Sequence, residues 1–328
     1  MDRVLVLPHY VHAKIFDSDK SVNISVYEQV FDIHWDDHNQ YHSACDFLHE
    51  IMAKKTLPFE ESRHKTEFID YLIDNKLVYI DNKSYTSTTE HEGSSGIEFY
   101  NYLFNLVNNQ WILEHGETPL AQAMAHPEGN RSLLLGWTLE YFHVTRLAIS
   151  CLIGFVANPL PPEVQKLAEE FIREELYHER IMVKAFQDTK WEEESVFSSF
   201  PLPSTQAYMD FLKDMALRKP HSFFASLFFY EGDDEDLIEL SENIPDISGF
   251  RKIRESHLQH ARINVQGGHS DITGHYFELI PWLTKAQEDE IIEDMSYLKF
   301  LYYDMQNEIF NRSQNEADLE GRICMSLS

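Results

Sequence analysis

The stretch from Phe250 to Trp282, FRKIRESHLQHARINVQGGHSDITGHYFELIPW, limits what this chain can become more than any other segment. It carries His257, His260, Asn264, His269, Asp271 and His275. Read as one helix, steps of three and four residues place 257, 260, 264, 271 and 275 on a single face. His269 leaves that stripe unless Gly267-Gly268 distorts the turn. A face with so many imidazoles makes a poor core seam, because each buried ring needs partners for both nitrogens. It suits a metal. The plainer alternative is a polar face lying in solvent, since single histidines are usually structural. What decides between them is whether other helices bring carboxylates to meet this face.

Three other segments set carboxylate and imidazole into apolar surroundings. Glu140 and His143 lie in WTLEYFH, where a charge is costly beside Trp137, Leu139 and Phe142 unless something offsets it. Glu174, Glu175 and His178 lie in REELYHE, and either glutamate is spaced to share a helix face with the histidine. Glu231 ends the hydrophobic run FFASLFFYE. Glutamates and histidines from several helices converging inside a bundle are the arrangement of non-haem di-iron and di-manganese sites. Each has a structural counterpart: Glu140/His143 as a buried hydrogen-bonded network, Glu174 as a solvated position, Glu231 as a helix-end charge before DDED. Tyr102, Tyr141, Phe142, Tyr177 and Tyr230 read as core.

The rest of the chain supplies a frame. Its 328 residues suffice for one large domain or two ordinary ones. No uninterrupted apolar run looks long enough to span a bilayer, and MDRVLVLPHYVHAKIF lacks the layout of a signal peptide. Cys45, Cys151 and Cys324 show neither paired nor metal-type spacing, which points to a reducing cytoplasm. With 27 basic against 55 acidic residues the net charge is −28, which disfavours nucleic acid as a partner. A cationic partner, or inward carboxylates offset by metal ions, fits that balance.

Residues 1–84 read as strands at 4–7, 13–16, 22–26 and 29–33 with a turn at Asp17-Ser18-Asp19-Lys20, then helices from Ser43 and across HKTEFIDYLIDN, then a strand at 77–81. That order is the order of a small winged helix. Glu67, Asp70 and Asp74 on its second helix disfavour DNA binding. Residues 85–96 are polar and glycine-serine rich and read as a linker. From 97 to 315 the pattern is nearly all helical: IEFYNYLFNLVNNQWILEH, LLLGWTLEYFHVTRLAISCLIGFV, EVQKLAEEFIREELYHERIMVKAFQ, STQAYMDFLKDMALRKPHSFFASLFFYEG, the histidine-bearing segment, and TKAQEDEIIEDMSYLKFLYYDMQNEIF. The fold class expected is mainly α, a helical bundle preceded by a small α+β winged-helix domain.

Two resemblances sharpen this. The element order and the closing FIDYLIDNKLVYID resemble the PqqD-like peptide-recognition domain of enzymes that modify ribosomally made peptides. The resemblance implies a strand edge that takes up the leader of a precursor peptide. Residues 97–311 resemble the haem-oxygenase-like bundle shared by TenA, PqqC and the haem-oxygenase-like di-metal oxidases, through STQAYMDFLKDMA and EELYHE. No cysteine stands near Phe228–Glu231, which sets thiaminase chemistry aside. The di-metal oxidases carry a Glu with a following His, a later lone Glu, and a His-x3-Asp-x2/3-His helix. The resemblance assigns Glu175 and His178 to the first, Glu231 to the second, and His260 with Asn264 to the third, closed by His269. In an alternative register Asp271 and His275 serve.

Asn264 in place of Asp removes one negative ligand and puts the second metal in doubt. The function expected is an O2-dependent non-haem oxidase with iron (two ions, or manganese) acting on a leader-bound peptide. Its partners are the precursor peptide and O2, without nucleic acid or membrane, and a homodimer is the assembly left open. Asn264, His257, Glu174, Glu140 and His143 stand behind these ligands or as alternatives to them. The rivals are a metal-free PqqC-type oxidase, in which the histidines act as acids and bases, and a non-catalytic helical scaffold with a docking module.

Overall fold

The computed structural model describes residues 3–16, 19–27, 29–59, 66–82, 93–124, 130–229, 234–267 and 271–324. Packing divides the chain into two compact units: Met1–Gly116 with Phe277–Glu288, and Glu117–Tyr276 with Asp289–Ser328.

The first unit begins with β1 (Arg3–Val6), β2 (Val11–Phe16), β3 (Ser21–Val26) and β4 (Gln29–His34). The last three pair antiparallel in the order β2-β3-β4, with Ala13 opposite Ile24 and Ile24 opposite Phe31. Alternation turns Val22, Ile24 and Val26 into the core and leaves His12, Lys14, Val30 and Asp32 exposed. Helix α1 (His38–Lys54) starts five residues earlier than its apolar pattern suggests, because the Asp37 side chain caps it by accepting the Asn39 N–H at 2.7 Å. Tyr41, Phe47, Leu48 and Ile51 bury its inner face.

A short strand β5 (Thr56–Pro58), unforeseen in the sequence, and β6 (Tyr79–Asn82) flank β1 in a second sheet, with α2 (Thr66–Asp74) between them in sequence. The expected linker lies partly outside the described residues. Its end is structured: Gly93–Ser94 (β7) pairs with Leu283–Thr284 (β8), and the Ser95 hydroxyl caps α3 (Gly96–Leu106) by accepting the Glu98 N–H. Helix α3 runs on through a π-turn at Val107–Trp111 to His115.

The second unit is helical among its described residues, from α4 (Pro119–Met124) onward. Its axis is α5 (Arg131–Val156), packed along α9 (Pro203–Arg218). By length and composition α5 is apolar enough to cross a membrane, against the expectation from sequence. Its polar side chains are instead tied to other helices of the unit: Arg146 donates to the Phe197 carbonyl at 2.7 Å, and Glu140 accepts the Leu202 N–H at 3.0 Å. Phe155 packs its ring against Phe223 and Phe224 at 5.5 and 4.7 Å. Each such buried ring contributes about 2–3 kcal/mol. Gly136 allows a close approach, since a Cβ there would meet the Ser313 Oγ at 2.0 Å.

Three segments that read as single helices are interrupted. The run after Pro161 ends as α6 (Pro162–Glu175) and resumes as α7 (Glu179–Val183). After α8 (Glu193–Phe197) and α9, α10 (Pro220–Ser226) starts afresh, because Pro220 has no N–H to give and keeps Lys219 out of the helical region, at φ −135° and ψ 69°. After α11 (Asp234–Asn243), the histidine-bearing segment is α12 (Arg251–Gly267) followed by α13 (Ile272–Glu278). Helices α14 (Lys285–Arg312) and α15 (Glu316–Cys324) close the described chain.

Candidate functional site

The break between α6 and α7 builds the site. Tyr177 takes φ 74°, a left-handed backbone that costs a residue with a Cβ about 1–2 kcal/mol. Leu176 and Tyr177 face outward, and the Arg180 guanidinium lies 4.9 Å from the Tyr177 ring centre. The two flanking residues turn inward: Glu175 and His178 are 5% and 4% exposed, with Glu175 Oε2 3.2 Å from His178 Nδ1. From α12 comes His260, 3% exposed, its ring centre 4.9 Å from that of His178. One carboxylate and two imidazoles from separate helices therefore meet inside the second unit.

Aromatic side chains of α5 line the opposite side. The Tyr141 ring meets His260 edge-on at 5.3 Å, with its hydroxyl 3.5 Å from His260 Nδ1. Trp137 stacks flat on His257 at 4.0 Å, and the Thr138 hydroxyl lies 2.9 Å from His257 Nε2. His257 is fully buried, and desolvation lowers its pKa to about 3, so the ring is neutral. Tyr141, Trp137 and Thr138 were not singled out as site residues. Their i, i+1, i+4 spacing on a helix already known to carry a buried glutamate is the signal that offered them. Asn264, one turn beyond His260, is buried on the same face.

The remaining expected residues separate. Glu174 is exposed, as a solvated helix position. Asp271 and His275 are exposed too, because α12 ends at Gly267 and α13 turns Ile272, Thr273 and Tyr276 inward in their place. The face extrapolated from 257 to 275 thus stops at Asn264, and the register using Asp271 and His275 is not the one that builds the buried cluster. Glu231 and His269 lie outside the described residues.

Glu140 and His143 form a separate network. Arg322 on α15 pairs with Glu140, while Arg146 and Ser199 bond the two His143 nitrogens at 3.1 and 3.2 Å. Burial, then Arg146 and Arg322, lower the His143 pKa to about 2. A ring flanked by two guanidinium groups is a poor place for a further cation.

Among the described residues, no three or more His, Cys, Asp or Glu side chains stand together with metal-ligand spacing. In kind, however, Glu175, His178 and His260 fit a metal: two imidazoles and one carboxylate are the donor set of non-haem iron.

No protein-family model matches the chain, and no curated protein matches it. Among solved structures, one similar chain is a domain of unknown function with a heme oxygenase-like fold from Shewanella denitrificans. It is 15% identical with a TM-score of 0.50, over 70% of this chain and 94% of that one. The fold is thus mainly α, a haem-oxygenase-like helical bundle with a small N-terminal α+β region.

Proposed function

We propose that this chain is an O2-dependent oxidase acting on a ribosomally made peptide, with non-haem iron held by Glu175, His178 and His260. The observation that carries the reading is the buried meeting of that carboxylate with two imidazoles from separate helices. Bound there, iron would supply the one-electron and O2 chemistry that amino-acid side chains lack. Glu231 and His269, outside the described residues, complete the ligand set that the resemblance implies, and manganese suits the same donors.

The chain's own residues do the rest. The Tyr177 turn aims Glu175 and His178 inward. Burial of the cluster excludes bulk water, which strengthens every electrostatic contact inside it. Trp137 and Thr138 fix the orientation of His257. Tyr141 offers a hydroxyl at the His260 ring, placed to hold a proton there or to orient a polar group of the substrate. In the first unit, β2 and β4 are the edges of their sheet among the described strands, and either edge suits a leader peptide adding as a further strand. The buried cysteines Cys45 and Cys151 suit a reducing cytoplasm.

A metal-free oxidase is the second reading. It is favoured by the 3.2 Å approach of Glu175 to His178, since a carboxylate that orients an imidazole is how a general base is built. Metal analysis of protein from iron-supplemented cells, paired with O2 consumption on a leader-bearing peptide, tests both. The iron reading expects at least one iron per chain, lost in His178→Ala and His260→Ala together with O2 uptake. Uptake by metal-free protein overturns it in favour of the second reading. No uptake with any leader-bearing peptide removes both.

A further inference from the structure

The first unit carries a pair of imidazoles that the proposed oxidation does not use. His38 and His42 open α1, one turn apart on its solvent side, and both are exposed. Their Nε2 atoms are 2.9 Å apart, with the ring centres 4.2 Å apart and the planes at 75°. Two neutral rings can share one N–H at that distance, but the same approach fits a different purpose. Nitrogens about 2.0–2.1 Å from one metal ion lie about 2.9 Å apart when they occupy adjacent right-angled positions, and about 3.3 Å apart at a tetrahedral angle. Right-angled nitrogen and oxygen coordination is the preference of Cu2+ and Ni2+.

We propose that His38 and His42 form a two-nitrogen chelate for a divalent transition-metal ion, with Cu2+ bound most tightly and Ni2+ next. Copper leads because nitrogen donors follow the general order of divalent affinities, which peaks there. Helical spacing pre-arranges the chelate: residues four apart stand one above the other, so little side-chain freedom is lost on binding. The positive end of the helix dipole opposes a cation at this position. Asp36 and Asp37 just before the helix and the exposed Asp46 one turn beyond His42 oppose that dipole, as does the net charge of −28. Asp37 keeps its capping bond to Asn39 throughout. Water, or donor atoms of a bound partner, would fill the remaining positions.

The site is distinct from the Glu175/His178/His260 cluster in residues, unit and metal preference, so the two readings fail separately. The test is Cu2+ titration of the full-length chain by calorimetry, with electron paramagnetic resonance of the bound ion. Wild type is compared with His38→Gln, His42→Ala and, as a control at another exposed position of the same helix, His49→Ala. Loss of one Cu2+ equivalent, or weakening by at least about tenfold (the factor of about 1.4 kcal/mol), is expected in the first two variants only. The two-nitrogen hyperfine pattern of the bound ion should collapse with it, and His49→Ala should match wild type. Because all three side chains are exposed, the helix should survive, as far-UV circular dichroism would verify. Unchanged stoichiometry and affinity in His42→Ala overturns the proposal. So does an equal loss in His49→Ala, which would mean unspecific binding to surface histidines.

Discussion

Two places in the helical unit carry the same Glu-x-x-His spacing and come to opposite ends. Glu140 and His143 sit on the unbroken helix α5, whereas Glu175 and His178 straddle a break. All four side chains are buried. The difference is in what meets them. Glu140 is met by the Arg322 guanidinium and the Leu202 N–H, and His143 by Arg146 and Ser199. Charge there is balanced within the fold. Glu175 is met by His178 itself, with a second imidazole, His260, behind. A spacing of three residues therefore does not by itself set what such a pair does. At Glu140 and His143, guanidinium groups already stand where a further cation would have to sit.

That contrast can be broken first at the residue inside each motif. Phe142 is fully buried in the helical motif, and Tyr177 is 60% exposed in the broken one. Phe142→Gly should lose about 4–6 kcal/mol of unfolding free energy, from the lost ring and the flexible backbone. Tyr177→Gly should change it by less than about 1 kcal/mol, because relief of the left-handed backbone offsets the added freedom of the unfolded chain. Denaturant titration checks both.

Next comes the counter-charge. Arg322→Ala strands Glu140 in the interior and should cost about 3 kcal/mol, read from the same titrations. Adding Glu140→Gln should restore part of that loss. Smaller in free energy, but more telling, is metal content. Glu175→Gln and His178→Ala should weaken iron retention at least about tenfold, about 1.4 kcal/mol, while His143→Ala leaves it unchanged in elemental analysis.

A further contrast is in acid sensitivity. His143 has a folded pKa near 2, below its ordinary 6.5, so between those values the unfolded chain takes up a proton that the folded chain refuses. Its contribution to stability is complete above pH 6.5 and is lost as pH falls towards 2. Over that window it steepens the loss by up to about 1.4 kcal/mol per pH unit, and His143→Asn should flatten urea midpoints measured from pH 7 to 5 by that one-proton slope.

Much of the frame was legible. Alternating β-branched residues marked β2 to β4, and the apolar stripes marked α1, α5 and α14, because period alone sets which side of an element is buried. Pro220, which has no N–H to donate, marks a break that the apolar pattern runs straight through. The break at Tyr177 carries no glycine or proline to announce it, so the inward turn of Glu175 and His178 could be guessed only as a pair. The pairing of Glu140 with Arg322 spans 182 residues, and local pattern is blind to it. Asp271 and His275 show the opposite case, a period carried past Gly267, the last residue of α12.

The Arg322 contact also has a consequence in time. A ribosome makes α5 long before it makes α15, so for 182 residues of synthesis Glu140 has no guanidinium to meet. During that interval the middle of α5 is held back from a dry environment by its own carboxylate. Full pairing of that carboxylate waits on a helix translated much later.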